Sequence, residues 1–253
     1  GLALRWIHIY LVPLHRALQV FWLLGCGGAF VLAARSGPEG MVAAVTNQPL
    51  WILAIGPFFA ALAGVGISSA LLLVDGPEIP LMDGSAQPWV EAIAEVGLKP
   101  LGARCLSPLL EAPITLQHGQ SFATALPSDC LRLAAAIEFP QAAIGRQLYS
   151  LELTPQAFVE QIAPARTFGF KQQVEQLLAA GLIKGGALDN ALVCDGDGWV
   201  NPPLRFADEP VRHKLLDLLG DLALAGLPQA QVFAFRGSHG LHTALAAALV
   251  SSN

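Results

Sequence analysis

From Asp75 to its end the sequence predicts an α+β protein, and the stretch before it predicts a pair of apolar helices. Two observations carry this reading. Short strand-like and helical segments alternate after Asp75, the pattern of helices packed on one face of a sheet. Charge is also unevenly spread. Charged residues make up 13% of the 253, against roughly 25% in ordinary soluble domains, yet none occurs from Ala17 to Ala34 or from Gly40 to Val74.

Residues 17–34, ALQVFWLLGCGGAFVLAA, would just cross a bilayer as a helix rising roughly 1.5 Å per residue. Residues 41–63 form a second candidate span, with Pro49 and Pro57 inside it. Trp6, Tyr10 and Trp22 suit an interfacial belt. Arg5 and Arg16 precede the first run and Arg35 follows it, which favours an N-terminus inside and returns the chain to the cytoplasm after two spans. The same runs also suit two helices buried in a soluble core, since interrupted apolar runs of this length are ambiguous. Gly25, Gly27 and Gly28 sit inside the first run rather than after a strand, so they serve helix packing and not a dinucleotide. The chain opens on Gly1 rather than Met, as a fragment or processed product would.

The texture changes at VDGPEIPLMDGSAQPW, which is rich in turn residues. A short helix follows at 88–96. Strands at 113–117 and 122–126 flank His118-Gly119-Gln120, a hairpin-type turn. Then come a helix over 171–181, a strand at 190–194, a helix over 209–225, a strand at 231–235 and a last helix through the 240s.

A net charge of -5 without a Lys/Arg cluster excludes a nucleic-acid surface, which needs a basic face to displace counterions. Cys26, Cys105, Cys130 and Cys194 have no knuckle or redox spacing and read as reduced thiols in a reducing compartment.

The segment from Asp208 to Asp221, DEPVRHKLLDLLGD, carries the most chemistry. Asp208 suits an N-cap and Pro210 the first helical turn. Val211, Leu215, Leu218 and Leu222 make one apolar stripe, with His213, Lys214, Asp217 and Asp221 opposite. His213 and Asp217, four apart, can reach one metal ion from one helix face. A polar helix face is more often simply solvated, so spacing alone leaves both readings open.

DGPEIPLMDGSAQPWV (75–90), PARTFGF (164–170), GGALDNALV (185–193), LRFADEPVRHKLLDLLGDLALAG (204–226) and RGSHGLHTAL (236–245) occur in one order and spacing. Together they resemble the UDP-3-O-acyl-N-acetylglucosamine deacetylase family of lipid A synthesis, over about residues 60–250. The resemblance implies a two-layer α/β sandwich, a zinc cofactor, a UDP-3-O-acyl-N-acetylglucosamine substrate and a cytoplasmic catalytic part. It makes His213 and Asp217 two of three zinc ligands. His239 becomes the catalytic histidine, which stabilises the oxyanion and protonates the leaving amine, and Asp221 holds it charged. Thr167 assists the oxyanion, Phe168 touches the sugar or acyl chain, and Lys214 and Arg236 face the diphosphate. His8, His15, His118 and His242 match no family role and read as structural or surface residues.

The family pattern breaks in one place. A Glu-His pair, the general base and third zinc ligand, should precede Ala61-Leu62-Ala63-Gly64, but Gly56 and Pro57 stand there. Upstream, ALRWIHIYLVPLHRALQVFWLLG and NQPLWILAIGPFFAAL are similar to an uncharacterised family of polytopic membrane proteins. The sequence thus reads as a chimera. Residues 1–64 form an apolar, membrane-spanning segment that would tether the chain to an inner membrane. Residues 65–112 are a remnant of the deacetylase first domain, and 113–253 its second domain. With most of the first domain missing, nothing is expected to hold position 56 against the site.

Overall fold

The computed structural model describes residues 7–10, 29–32, 52–68, 70–75, 79–98, 110–179 and 188–251. Its largest sheet has the strand order β4-β5-β11-β6-β7, formed by β4 (Ile114–His118), β5 (Ser121–Pro127), β6 (Arg132–Glu138), β7 (Arg146–Glu152) and β11 (Ala230–Phe235). β11 enters last in sequence, between β5, to which it is antiparallel, and β6, to which it is parallel. The β4–β5 hairpin closes with His118 opposite Ser121, and Gly119 takes φ 60 at the first turn position, the glycine-first habit of two-residue hairpins.

Side chains alternate along these strands. Leu133, Ala135 and Ile137 of β6, Ala123 and Ala125 of β5, and Val232 and Ala234 of β11 are buried on one face. Against that face lie helices α5 (Glu209–Ala223) and α6 (His239–Ser251). They contribute Leu215, Leu218, Leu222, Leu241, Leu245 and Leu249 to the same core.

On the far side of α5 lies α1 (Ile52–Gly64). Its Phe58, Ala60 and Ala61 are buried, and the Phe58 ring meets Trp89 of α2 (Gln87–Val96) edge-on at 5.0 Å. The α1–α5 contact is a backbone approach: a Cβ added to Gly220 would lie 2.6 Å from the carbonyl oxygen of Gly56. Only glycine at 220 admits this spacing.

A smaller sheet orders β10 (Gly198–Trp199), β9 (Leu192–Asp195) and β8 (Phe168–Phe170), with β8 and β9 parallel. Helices α3 (Pro155–Gln161) and α4 (Lys171–Ala179) flank β8 in sequence. A third sheet places β3 (Leu71–Asp75) between β1 (Ile7–Tyr10) and β2 (Ala29–Leu32), antiparallel to both.

The structure differs from the sequence reading at the apolar runs. Where the sequence predicts a span over 17–34, residues 29–32 are a strand and the remainder lies outside the described residues. Where it predicts a span over 41–63, the described part is a helix of 13 residues. At 1.5 Å per residue α1 is about 20 Å long, against a bilayer core of about 30 Å, and its Phe58, Ala60 and Ala61 are covered by protein. Among the described residues no helix is long and apolar enough to cross a membrane. Over 56–64 the other reading, a helix packed in protein, is supported by the burial of Phe58, Ala60 and Ala61.

Candidate active site

The polar face of α5 is not solvated. His213, Asp217 and Asp221 are 3%, 4% and 3% exposed, so each charge or ring must find its partner inside the protein. The helix start is also built differently from the expected cap. Asp208 makes no capping bond, and its Oδ1 accepts from Arg212 Nε at 2.7 Å. Glu209, fully buried, instead anchors the loop before β8. It accepts from the backbone N–H and Nε of Arg166 at 3.0 and 2.9 Å, and from the backbone N–H of Arg205 at 2.6 Å.

That anchored loop presents the carbonyl of Ala165, which lies 3.1 Å from His213 Nδ1. A carbonyl only accepts, so Nδ1 carries the proton and Nε2 is left bare. Burial lowers the His213 pKa despite Asp217 nearby, which keeps the ring neutral. Nε2 stands 3.4 Å from Asp217 Oδ1. Lys214 Nζ donates to Asp217 Oδ2 at 3.0 Å. Burial opposes ionisation of Asp217, but the charge of Lys214 outweighs it and holds the carboxyl below the usual range.

The other half of the site comes from α6. His239 Nδ1 donates to both oxygens of Asp221, at 3.0 and 2.9 Å. Burial pulls the His239 pKa down, yet Asp217 and Asp221 together push it up to about 9. The ring is therefore cationic at neutral pH and can give up a proton.

Facing both halves is α1. A Cβ built on Gly56 would lie 3.6 Å from Asp217 Oδ1 and 3.8 Å from His239 Cε1. Position 56 is thus held against the site by the Gly56–Gly220 contact, contrary to the expectation that nothing would hold it. What is missing is the side chain.

Phe168 packs edge-on against Phe139 at 5.6 Å, and its ring centroid lies 5.8 Å from Lys214 Nζ. Thr167, beside it, is fixed through its backbone, its N–H donating to Gly84 O at 2.7 Å and its carbonyl accepting from Leu192 N–H at 2.8 Å. Arg236, at φ 50, turns towards the β4–β5 hairpin, where its guanidinium donates to Gln120 Oε1 at 2.6 Å. The structure therefore gathers His213, Lys214, Asp217, Asp221 and His239, sets Phe168 beside Lys214, and engages Arg236 at the hairpin. His242, read from sequence as structural or surface, is 1% exposed and bonds Asp221 Oδ2 through Nδ1 at 2.9 Å. Its position three residues after His239, one turn along the same helix, was the available signal.

Residues 51–251 match the family described as UDP-3-O-acyl N-acetylglycosamine deacetylase. The chain belongs to this deacetylase family. Residues 2–74 match a family of uncharacterized integral membrane proteins, so the two matches share 51–74, the stretch holding α1 and all of β3 but its last residue. The UDP-3-O-acyl-N-acetylglucosamine deacetylase of Thermosynechococcus vestitus is 55% identical over 191 residues, covering 75% of this chain and 66% of that protein. The enzyme of the same name from a Nostoc species is 53% identical over 193 residues (74% and 69%), and one from Haemophilus influenzae is 39% identical over 214 residues (83% and 70%). The chain thus spans about two thirds of the length of these deacetylases.

The donor set bears on the zinc that the family resemblance implies. Metal–ligand bonds of about 2.1 Å in a tetrahedral site put neighbouring ligand atoms about 3.4 Å apart, and His213 Nε2 and Asp217 Oδ1 have that spacing. A catalytic zinc takes three protein ligands. Among the described residues no three His, Cys, Asp or Glu side chains are grouped to hold a metal, and Pro57 has no donor to offer. Two donors fit one edge of a zinc site. The set as a whole does not fit a catalytic zinc.

Proposed function

We propose that this chain carries the amide-hydrolysis scaffold of a UDP-3-O-acyl-N-acetylglucosamine deacetylase of lipid A synthesis, stalled at the base and third-ligand positions. The observation that carries the reading is the His239–Asp221 pair set beside His213 and Asp217, with the empty side-chain position of Gly56 opening onto both. In that reaction His239 gives its proton to the leaving amine and, with Thr167, stabilises the oxyanion. Lys214 and Arg236 take the diphosphate, and Phe168 the sugar or acyl chain. In a complete site of this kind a bound zinc would supply polarisation of the amide carbonyl and acidification of a water. His213 and Asp217 alone would hold such a metal weakly, and Gly56 offers no carboxylate to serve as base.

A second reading rests on the match of residues 2–74 to integral membrane proteins. In it the chain is an inner-membrane-tethered chimera whose cytoplasmic tail binds nucleotide-sugar without hydrolysing it.

One preparation tests both. Purified chain supplied with zinc and UDP-3-O-acyl-N-acetylglucosamine should release no acetate above a metal-free blank. Zinc affinity, measured by competition with a chelating dye, should fall by about 10-fold or more in His213→Ala. Turnover by the parent, abolished in His239→Ala, would mean that another residue supplies the base. Equal zinc affinities would remove the metal from α5. Binding of the UDP-sugar without turnover would favour the second reading.

A further inference from the structure

Asp221 is shared between two imidazoles. His239 Nδ1 reaches both of its oxygens, and His242 Nδ1 reaches Oδ2 at 2.9 Å from the next turn of α6. At that distance two facing lone pairs would repel, so His242 Nδ1 carries a proton. Its Nε2 is buried and has no hydrogen-bond partner in the structure, packed where a side chain at Gly237 would collide with it. A second proton on Nε2 would bury an N–H without an acceptor. It would also add a cation that shares one carboxylate with His239. The other titratable groups gathered here, His213, Lys214 and Asp217 of α5, form their own chain of contacts, and α1 brings no charge.

We propose that His242 is a positioning residue: protonated on Nδ1 alone, it donates to Asp221 Oδ2 and fixes that carboxylate towards His239. The proposal deepens the deacetylase reading, in which His239 is the acid, but it can be tested without turnover. Long-range 1H–15N correlations of the imidazole rings, recorded on the full chain at neutral pH and assigned by loss of the signal in His242→Asn, should show His242 protonated on Nδ1 only. A ring protonated on Nε2 alone, or on both nitrogens, would overturn the proposal. His242→Asn can donate an amide N–H from the same place and should keep the parent's solvent protection of the His239 Nδ1–H. His242→Leu cannot, and there that proton should exchange about 10-fold faster, the loss of one hydrogen bond's worth of restraint. Equal exchange in the two variants would also sink the idea. If the Leu variant fails to fold, the ring pattern of the parent decides. None of these readouts depends on deacetylation, so a failed activity assay leaves them standing.

Discussion

The two sides of the candidate site differ in what they have kept. On α5 and α6 the chemistry is carried by side chains, each with a partner: His213 on Ala165 O, Asp217 on Lys214, His239 and His242 on Asp221. On α1 only the backbone is in place. Gly56 stands against Gly220 with its missing side chain aimed between Asp217 and His239, and Pro57 follows it. Position and chemistry are therefore separable. The packing of Phe58, Ala60 and Ala61 sets where residue 56 sits, and nothing in that packing requires residue 56 to be an acid.

The largest effect expected from this contrast is a gain of activity. General-base catalysis contributes about 10²–10⁴-fold, and a third ligand raises metal occupancy besides. Gly56→Glu with Pro57→His should lift deacetylation at least about 10²-fold above the parent's blank. Acetate release by the two proteins, with zinc in excess, measures it. A double variant that folds, binds zinc more tightly and still shows no turnover would show that more than these two side chains separates the site from a working one.

The next effect reads the side that is intact. His239 binds its proton more tightly in the folded chain, at about 9 against an ordinary 6.5. The stability it contributes is fully present below pH 6.5 and is lost as pH rises from there through about 9. At about 1.4 kcal/mol per unit the loss is about 3 kcal/mol. Urea midpoints between pH 6 and 10 should fall across that window in the parent and much less in His239→Asn. Parallel curves would mean that His239 and Asp221 are not coupled as the distances indicate.

Much of the fold was legible in the sequence, and the exceptions share a physical reason. Helix α5 announces itself by the 3.6-residue period of Val211, Leu215, Leu218 and Leu222, and the β4–β5 hairpin by its turn at Gly119. β6 does not. RLAAAIE is made mostly of strong helix formers, yet it is a strand paired with β11 and β7, its Leu133, Ala135 and Ile137 on the face against α5. The motif singles out His213, Asp217, Asp221 and His239, which the structure brings together, but not the burial of that face, since periodicity separates polar from apolar without saying what covers the polar side. His242 offered only its one-turn spacing from His239 as a signal, and that spacing does not point to a shared carboxylate until Asp221 is seen between them. The apolar run over 41–63 stays ambiguous for a similar reason. A helix buried by protein and a helix buried by lipid have the same composition, and only length and neighbours distinguish them.

The smallest effects separate the two glycines where α1 meets α5. Gly220 has no room: an added methyl would meet the Gly56 carbonyl oxygen at 2.6 Å, so α1 must move away. Overpacking of this kind costs about 1–3 kcal/mol. Gly56 has room, since an added methyl makes only ordinary contacts at 3.6 and 3.8 Å. In a helix interior, alanine for glycine is worth up to about 1 kcal/mol in favour of folding. Gly220→Ala should therefore lower the urea midpoint, while Gly56→Ala should leave it unchanged or raise it slightly. Gly220→Ala should also blunt any activity gained by Gly56→Glu with Pro57→His, because it displaces the backbone that aims residue 56 at Asp217 and His239. If Gly220→Ala proved neutral in both measurements, α1 would not be held against α5 as described. Residue 56 would then not be aimed at Asp217 and His239 by this helix contact.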